Sequence, residues 1–187
     1  MTPIPTLAVF GDSLTEGYGL SKQQALPAVL QQLLSVHGIP VNALNFGVSG
    51  ETSTDGLLRI DSLLAAHPEA VILEFGANDF YVEDPVPKIE QNLDTMLTAF
   101  IEKKIPVLLV GIRAVAEIPK SYRTAFAPIF GRLAKRHGVP LYPDILAPYL
   151  GNPTLTLMDG LHPNEQGVVT IAQDMLPMVI DLIQKIG

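Results

Sequence analysis

The 187-residue sequence contains no cysteine. That absence excludes disulfide-stapled scaffolds, thiol nucleophiles and cysteine-ligated zinc or iron–sulfur centres. Positive charge is scarce: 12 Lys and Arg stand against 19 Asp and Glu, a net charge of −7. No basic cluster exceeds the pairs Lys103–Lys104 and Lys135–Arg136. A nucleic-acid footprint is therefore missing, and an anionic membrane surface would repel the chain. Long apolar runs are missing too. The longest, Ile105 to Ile112, spans eight residues, where a membrane-crossing helix needs about 20. The opening stretch, Met1 to Pro5, has neither the basic nor the apolar segment of a signal peptide. A soluble, cytoplasmic chain is expected as written, or a periplasmic or secreted one where a leader has been removed.

What is abundant is apolar. Hydrophobic residues make up 48% of the chain, and mean hydropathy is +0.31, which excludes intrinsic disorder. One domain spanning residues 1–187 is expected, long enough to bury roughly two-thirds of its unfolded surface. Short apolar runs alternate with longer helical stretches, the pattern of a parallel α/β sheet. The runs Leu7–Phe10, Val41–Phe46, Ala70–Phe75, Pro106–Ile112 and Pro140–Tyr142 read as strands. Helices are predicted over Leu26–His37, Ser53–His67, Val86–Lys103, Tyr122–His137 and Asn164–Lys185, with a kink at Pro177. Within Ser53–His67 the residues Leu57, Ile60, Leu63 and Leu64 keep a 3.6-residue period. The expected architecture is a three-layer, doubly wound, flavodoxin-like sheet of five parallel strands. Sites in such sheets form outside the carboxyl ends of the strands.

Four loops at those ends carry polar chemistry. In Gly11-Asp12-Ser13-Leu14-Thr15-Glu16-Gly17, Ser13 lies at a strand-to-helix turn, where a hydroxyl can face the crevice. In Asn45-Phe46-Gly47-Val48-Ser49-Gly50, two glycines let backbone N–H groups approach a ligand. In Gly76-Ala77-Asn78-Asp79, Asn78 offers a side-chain donor, although Asn-Asp is also ordinary turn chemistry. In Asp159-Gly160-Leu161-His162-Pro163, the acid and the imidazole can bond each other, which fixes the tautomer and leaves Nε2 free as a base. The other three histidines, His37, His67 and His137, sit at predicted helix C-termini, where the dipole explains them. Together the loops supply a nucleophile, a base, its orienting acid and oxyanion donors, the parts of acyl transfer. No G-x-S-x-G elbow occurs, which excludes the standard α/β-hydrolase arrangement.

In this order and spacing the motifs resemble those of the GDSL, or SGNH, hydrolases. Gly11-Asp12-Ser13-Leu14 resembles the first block, with Ser13 as nucleophile. Gly47 resembles the second-block glycine and Asn78 the third-block asparagine, which with the N–H of Ser13 form the family's oxyanion hole. Asp159-x-x-His162-Pro163 resembles the fifth block, which carries acid and base. The chain is most similar to the small bacterial thioesterase, lysophospholipase and arylesterase branch. That resemblance implies cofactor-free and metal-free hydrolysis of a small-molecule ester or thioester. One departure follows the Asn-Asp pair. Many of the branch continue with a small residue, Leu and Arg; here Phe80-Tyr81-Val82-Glu83 follows, so Phe80 and Tyr81 are expected to border the acyl site and favour short acyl or aryl esters.

Two rival functions compete on the first loop. Ser13, Thr15 and Gly17 also fit a flavodoxin-like phosphate loop, against which Asp12 and Glu16 would repel a phosphate. A metal-dependent phosphatase would use Asp12, but wants a second acid where Leu14 stands. Neither accounts for Asp159 and His162. A long-chain acyl-thioesterase or lysophospholipase of the same family is the nearer alternative.

Overall fold

The computed structural model describes residues 4–186; part of the stretch read for a signal peptide, residues 1–3, lies outside them. Five strands form one parallel sheet: β1 (Thr6–Gly11), β2 (Asn42–Gly47), β3 (Ala70–Glu74), β4 (Val107–Val110) and β5 (Leu141–Tyr142). Their order is β2-β1-β3-β4-β5. Every residue of β3 and β4 is buried, as strands covered on both faces must be. The nine α-helices among the described residues are α1 (Ser13–Glu16), α2 (Leu26–Val36), α3 (Ser53–Leu58), α4 (Ile60–Ala65), α5 (Ala77–Tyr81), α6 (Val86–Glu102), α7 (Lys120–Phe126), α8 (Ile129–His137) and α9 (Glu165–Ile183). Helix α2 packs on α9, and α6 packs on α3 and α8, giving a helical layer on each side of the sheet. The expected doubly wound α/β fold is what the chain adopts.

The differences from expectation have local causes. The predicted helix over 53–67 is two helices, because Arg59 leaves helical geometry. Its guanidinium turns back to Glu51 at 2.6 Å and to the carbonyls of Gly11 and Phe46 at 3.2 and 2.9 Å. The helix predicted over 122–137 starts at Lys120 and divides at Pro128, which lacks the N–H that a continuous helix needs. Helix α9 runs on through Pro177. By length and composition α9 also matches a membrane span, but half of its apolar window is buried, and its packing on α2 and β4 accounts for its hydropathy. Residues 77–81, expected as a turn, form the helix α5.

The direction of winding reverses at β1, with β2 on one side and β3 on the other. The crevice at their carboxyl ends is the switch point where such sheets bind ligands. Gly11 pairs with Gly47 and with Glu74 in the two registers, so the loops after β1, β2 and β3 meet there.

Candidate active site

Ser13 is the first residue of α1, and Asp12 caps that helix by accepting the N–H of Leu14 at 2.9 Å. A first helical residue has no intrahelical acceptor for its own N–H, so that of Ser13 faces the crevice with the helix N-terminus behind it. Its hydroxyl lies 3.1 Å from His162 Nε2, and His162 Nδ1 lies 2.6 Å from Asp159 Oδ2. Ser13 and His162 are 149 residues apart in sequence. The fold therefore joins all three expected residues in one hydrogen-bonded row.

The turn that presents Asp159 and His162 is braced on several sides. Asp159 Oδ1 accepts the N–H groups of Leu161 and His162 at 2.9 and 3.0 Å. Burial is the largest single influence on the Asp159 carboxyl and raises its pKa, but the bonds from His162 and from these N–H groups together outweigh it and hold the group below the usual range. Tyr149, 1% exposed, donates its hydroxyl to the carbonyl of Leu161 at 2.9 Å. The ring of Tyr18 lies against that of His162, centroid to centroid 4.4 Å. A hydrogen-bonded row of serine, imidazole and carboxylate has the arrangement that proton transfer from the hydroxyl to Nε2 requires.

Asn78 sits in α5, directly after β3, and its amide donates to the carbonyl of Glu51 at 2.8 Å. Its second N–H has only a long contact of 3.4 Å, to Asp12 Oδ2. The next residue anchors this helix: Asp79, fully buried, accepts the Ser53 N–H at 2.9 and 3.0 Å and the Ser53 hydroxyl at 2.5 Å. Burial raises the Asp79 pKa, and the bonds from Ser53 work against that rise.

Gly47 does not stand where the oxyanion expectation needs it. Its N–H is donated to Asn45 Oδ1 at 2.9 Å, an Asx turn within the loop. It lines a separate depression with Tyr18, Gln31 and Asn45, and a Cβ added to it would lie 2.1 Å from the backbone nitrogen of Glu16. Gly47 is thus a close-packing glycine between β2 and α1. Farther along the same loop, the N–H of Gly50 meets no acceptor among the described residues. Gly50 precedes Glu51, whose carbonyl holds Asn78. The Asn-x-Gly spelling is the signal that tells the two glycines apart, because an Asn side chain readily takes the N–H two residues on.

Phe80 and Tyr81 do line the cavity beside Ser13. It measures about 70 Å³ and is also walled by Leu14, Ile112, Tyr149 and Leu161. Phe80 is 1% exposed and packs edge-on to Phe126, with centroids 5.8 Å apart, so it is core and wall at once. Tyr81, 42% exposed, lies against Phe80 at 4.6 Å. An open groove of about 590 Å³ begins on the far side of Tyr81, lined by Val115, Leu150 and Leu161.

Sequence reasoning missed the layer beneath. Asp12 is fully buried and Glu74 is 1% exposed, so neither can hold a metal at the surface as a phosphatase would require. Desolvation by burial pushes Asp12 up to about 7 and Glu74 well above the ordinary carboxylate range. Among the described residues no group of three or more His, Asp and Glu is gathered to hold a metal ion.

The chain is similar to several known esterases. An arylesterase of Vibrio mimicus is 34% identical over 89% of this chain and 84% of its own length. The thioesterase 1/protease 1/lysophospholipase L1 of Escherichia coli K12 is 35% identical over 95% of this chain and 85% of its own. The crystal structure of TesA superposes with a TM-score of 0.89 at 31% identity, covering 95% of this chain and 99% of that one. Residues 9–168 match the GDSL-like lipase/acylhydrolase family. The chain is an esterase and belongs to that family.

Proposed function

We propose that the chain is a serine esterase that hydrolyses short acyl and aryl esters, and thioesters, through an acyl-enzyme. The observation that carries this reading is the row Ser13 Oγ–His162 Nε2–His162 Nδ1–Asp159 Oδ2, with steps of 3.1 and 2.6 Å. His162 takes the Ser13 proton as Oγ attacks the carbonyl carbon, and Asp159 stabilises the imidazolium. The developing oxyanion lies among the N–H of Ser13, the Nδ2 of Asn78 and the N–H of Gly50, the last in place of Gly47. His162 then protonates the departing alcohol or thiol, and water repeats the attack on the acyl-enzyme. The short-chain preference rests on the cavity of about 70 Å³, small beside the roughly 300–1,000 Å³ of common ligand pockets. The whole chain acts as one catalytic domain on a small-molecule substrate.

A second reading has its own observation. The groove of about 590 Å³ shares Tyr81 and Leu161 with the cavity, so displacement of the Tyr81 ring would join the two and admit a long acyl chain. The relative named a thioesterase and lysophospholipase fits that case. A panel of p-nitrophenyl esters and acyl-thioesters of graded length separates the two. A kcat/KM optimum at about two to four carbons, the room of so small a cavity, supports the first; an optimum at long chains replaces it with the second.

A further inference from the structure

Beneath the nucleophile lies a pair of acids that the acyl-transfer chemistry does not use. Glu74 ends β3 and stands opposite Gly11 in the β1–β3 register. Gly11 makes room for it: a Cβ there would lie 2.3 Å from Glu74 Oε2 and 2.4 Å from Thr15 Oγ1. Glu74 Oε2 accepts the Thr15 hydroxyl at 2.9 Å and the Asp12 N–H at 3.3 Å. Asp12 in turn accepts the Leu14 N–H and faces the amide of Asn78 at 3.4 Å. The two acids thus lie between the turn that carries Ser13 and the helix that carries Asn78.

Among the described residues no Lys, Arg or His is paired with either acid. The Arg59 guanidinium, bonded to the Gly11 carbonyl next to Asp12, is otherwise held by Glu51 and by the carbonyl of Phe46. The other charged or titratable groups facing the pair are Asp79 from α5, Glu51 from the loop after β2 and Tyr149 from the segment after β5. Asp79 and Glu51 add negative potential, and a phenol offers no positive charge. Two buried carboxyl groups that share a side-chain hydrogen bond, with no cation paired to either among the described residues, do not both ionise. One proton stays. Asp12 already receives an N–H, whereas Glu74 has no donor charge to stabilise an anion beyond a hydroxyl and a long backbone contact, so the proton belongs on Glu74.

Building on the proposed oxyanion role of Asn78, we infer that Glu74 stands as a neutral acid donating its proton to the Asp12 carboxylate, and that this pair positions Asn78 and the Ser13 turn. Asp12 then has two close donors, the acid proton of Glu74 and the N–H of Leu14. One N–H of Asn78 is held by the Glu51 carbonyl at 2.8 Å, and the negative Asp12, 3.4 Å away and too far to bind the second N–H firmly, keeps the amide nitrogen rather than its oxygen toward the crevice with that N–H free for the oxyanion. A carbonyl oxygen turned there by an amide flip would repel the oxyanion. Glu74 touches no substrate and is a positioning residue.

The experiment uses the full chain with three variants: Glu74→Gln, Glu74→Met and Asn78→Ala. The Gln amide can donate to Asp12 and its oxygen can accept from Thr15, whereas Met can do neither. Infrared difference spectra at pH 7.5 are expected to show the carbonyl band of a protonated carboxylic acid in the wild type and to lose it in E74Q. E74Q should keep kcat within about threefold, and E74M should lose about 30-fold or more in kcat with KM nearly unchanged, the pattern of a lost transition-state interaction. The cost of Asn78→Ala should shrink from its wild-type value of about 10²-fold or more to less than about tenfold in the E74M background, because residues acting through one another are non-additive. A wild type without the protonated-acid band overturns the assignment of the proton. Additive costs for E74M and Asn78→Ala overturn the positioning role. If Asn78→Ala alone leaves kcat unchanged, the oxyanion reading itself fails, and the infrared band still reports separately on Glu74.

Discussion

Two aspartates serve Ser13, and they live in opposite worlds. Asp12 adjoins the serine in sequence and is wholly buried, whereas the Asp159 side chain is 38% exposed and reaches the serine only through His162. Burial pushes Asp12 up to about 7; it is also the largest single influence on Asp159, but there several hydrogen bonds together outweigh it and hold the carboxyl below its ordinary value. The same side chain is thereby suited to two tasks. A carboxylate that must stay ionised beside an imidazolium sits where water and N–H groups support it. A carboxylate that must hold backbone and amide in place sits where nothing moves. Environment rather than residue type assigns the role.

The sharpest way to break this comparison is to remove the group both acids serve. Ser13→Ala should lose kcat by a factor on the order of 10⁴ to 10⁶ while remaining folded, since only the nucleophile is lost. A serine-directed organophosphonate should add one adduct by mass, mapped to Ser13. An adduct on Ser49, whose hydroxyl is bonded to Glu16, would move the nucleophile to the wrong loop.

Next in size is the donor that the buried acid faces. Asn78→Ala should cost roughly 10² to 10³ in kcat, the usual worth of one preorganised oxyanion donor. Gly47→Ala offers the contrast. Its added methyl group meets the backbone of α1 rather than the substrate, so the loss should appear in melting temperature. A Gly47→Ala protein of unchanged stability with kcat reduced as in Asn78→Ala would return Gly47 to the oxyanion hole.

The opposite pKa directions predict opposite pH dependences of stability. For Asp12 and Glu74 the folded values lie above the unfolded ones of about 4, so the folded chain holds a proton that the unfolded chain has released. Their contribution is complete below about pH 4 and is lost progressively as pH rises from there through the folded values, that of Asp12 being about 7. Asp159 works the other way: its contribution is present above the unfolded value and is lost as pH falls through the lowered one. Melting temperature should therefore decline from pH 5 to pH 9, and Glu74→Gln should flatten that decline. Each kcal/mol moves the midpoint of a chain this size by roughly 2–4 °C, which calorimetry resolves. Parallel curves for wild type and E74Q would mean that the pair carries no retained proton.

The exposed half of the site was the more legible in sequence. Asp159 and His162 lie three residues apart, and a short-range pattern can be read along a chain. So can the buried strands, because β3 and β4, covered on both faces, spell continuous apolar runs. The floor was not legible, because Asp12 and Glu74 are 62 residues apart and meet only through the β1–β3 register. Along the sequence, Glu74 is only the one charge in the apolar run Ala70–Phe75. The break at Arg59 has the same cause, since its side chain answers to carbonyls on β1 and β2. Tyr149 and Tyr18 carried no motif at all, and only the folded turn shows that one holds the Leu161 carbonyl and the other covers the His162 ring.

The smallest expected effect concerns the rim, where Phe80 and Tyr81 divide the same contrast between them. Phe80 is locked in the core by Phe126, so Phe80→Ala should cost stability, typically about 3–5 kcal/mol for a buried Phe, along with any change in substrate choice. Tyr81 is half exposed and separates the small cavity from the open groove. Tyr81→Ala should leave melting temperature nearly unchanged and shift the kcat/KM optimum toward longer acyl chains. Each methylene newly accommodated is worth about 1–3 kcal/mol at most, and partial exposure of the groove to solvent puts the expected gain near the lower end, about tenfold or less per methylene. The measurement is kcat/KM across p-nitrophenyl esters of graded length for wild type and Tyr81→Ala. An unchanged length profile in the variant would show that the ring does not divide cavity from groove, and that the wall limiting the acyl chain is Phe80 or Tyr149 deeper in.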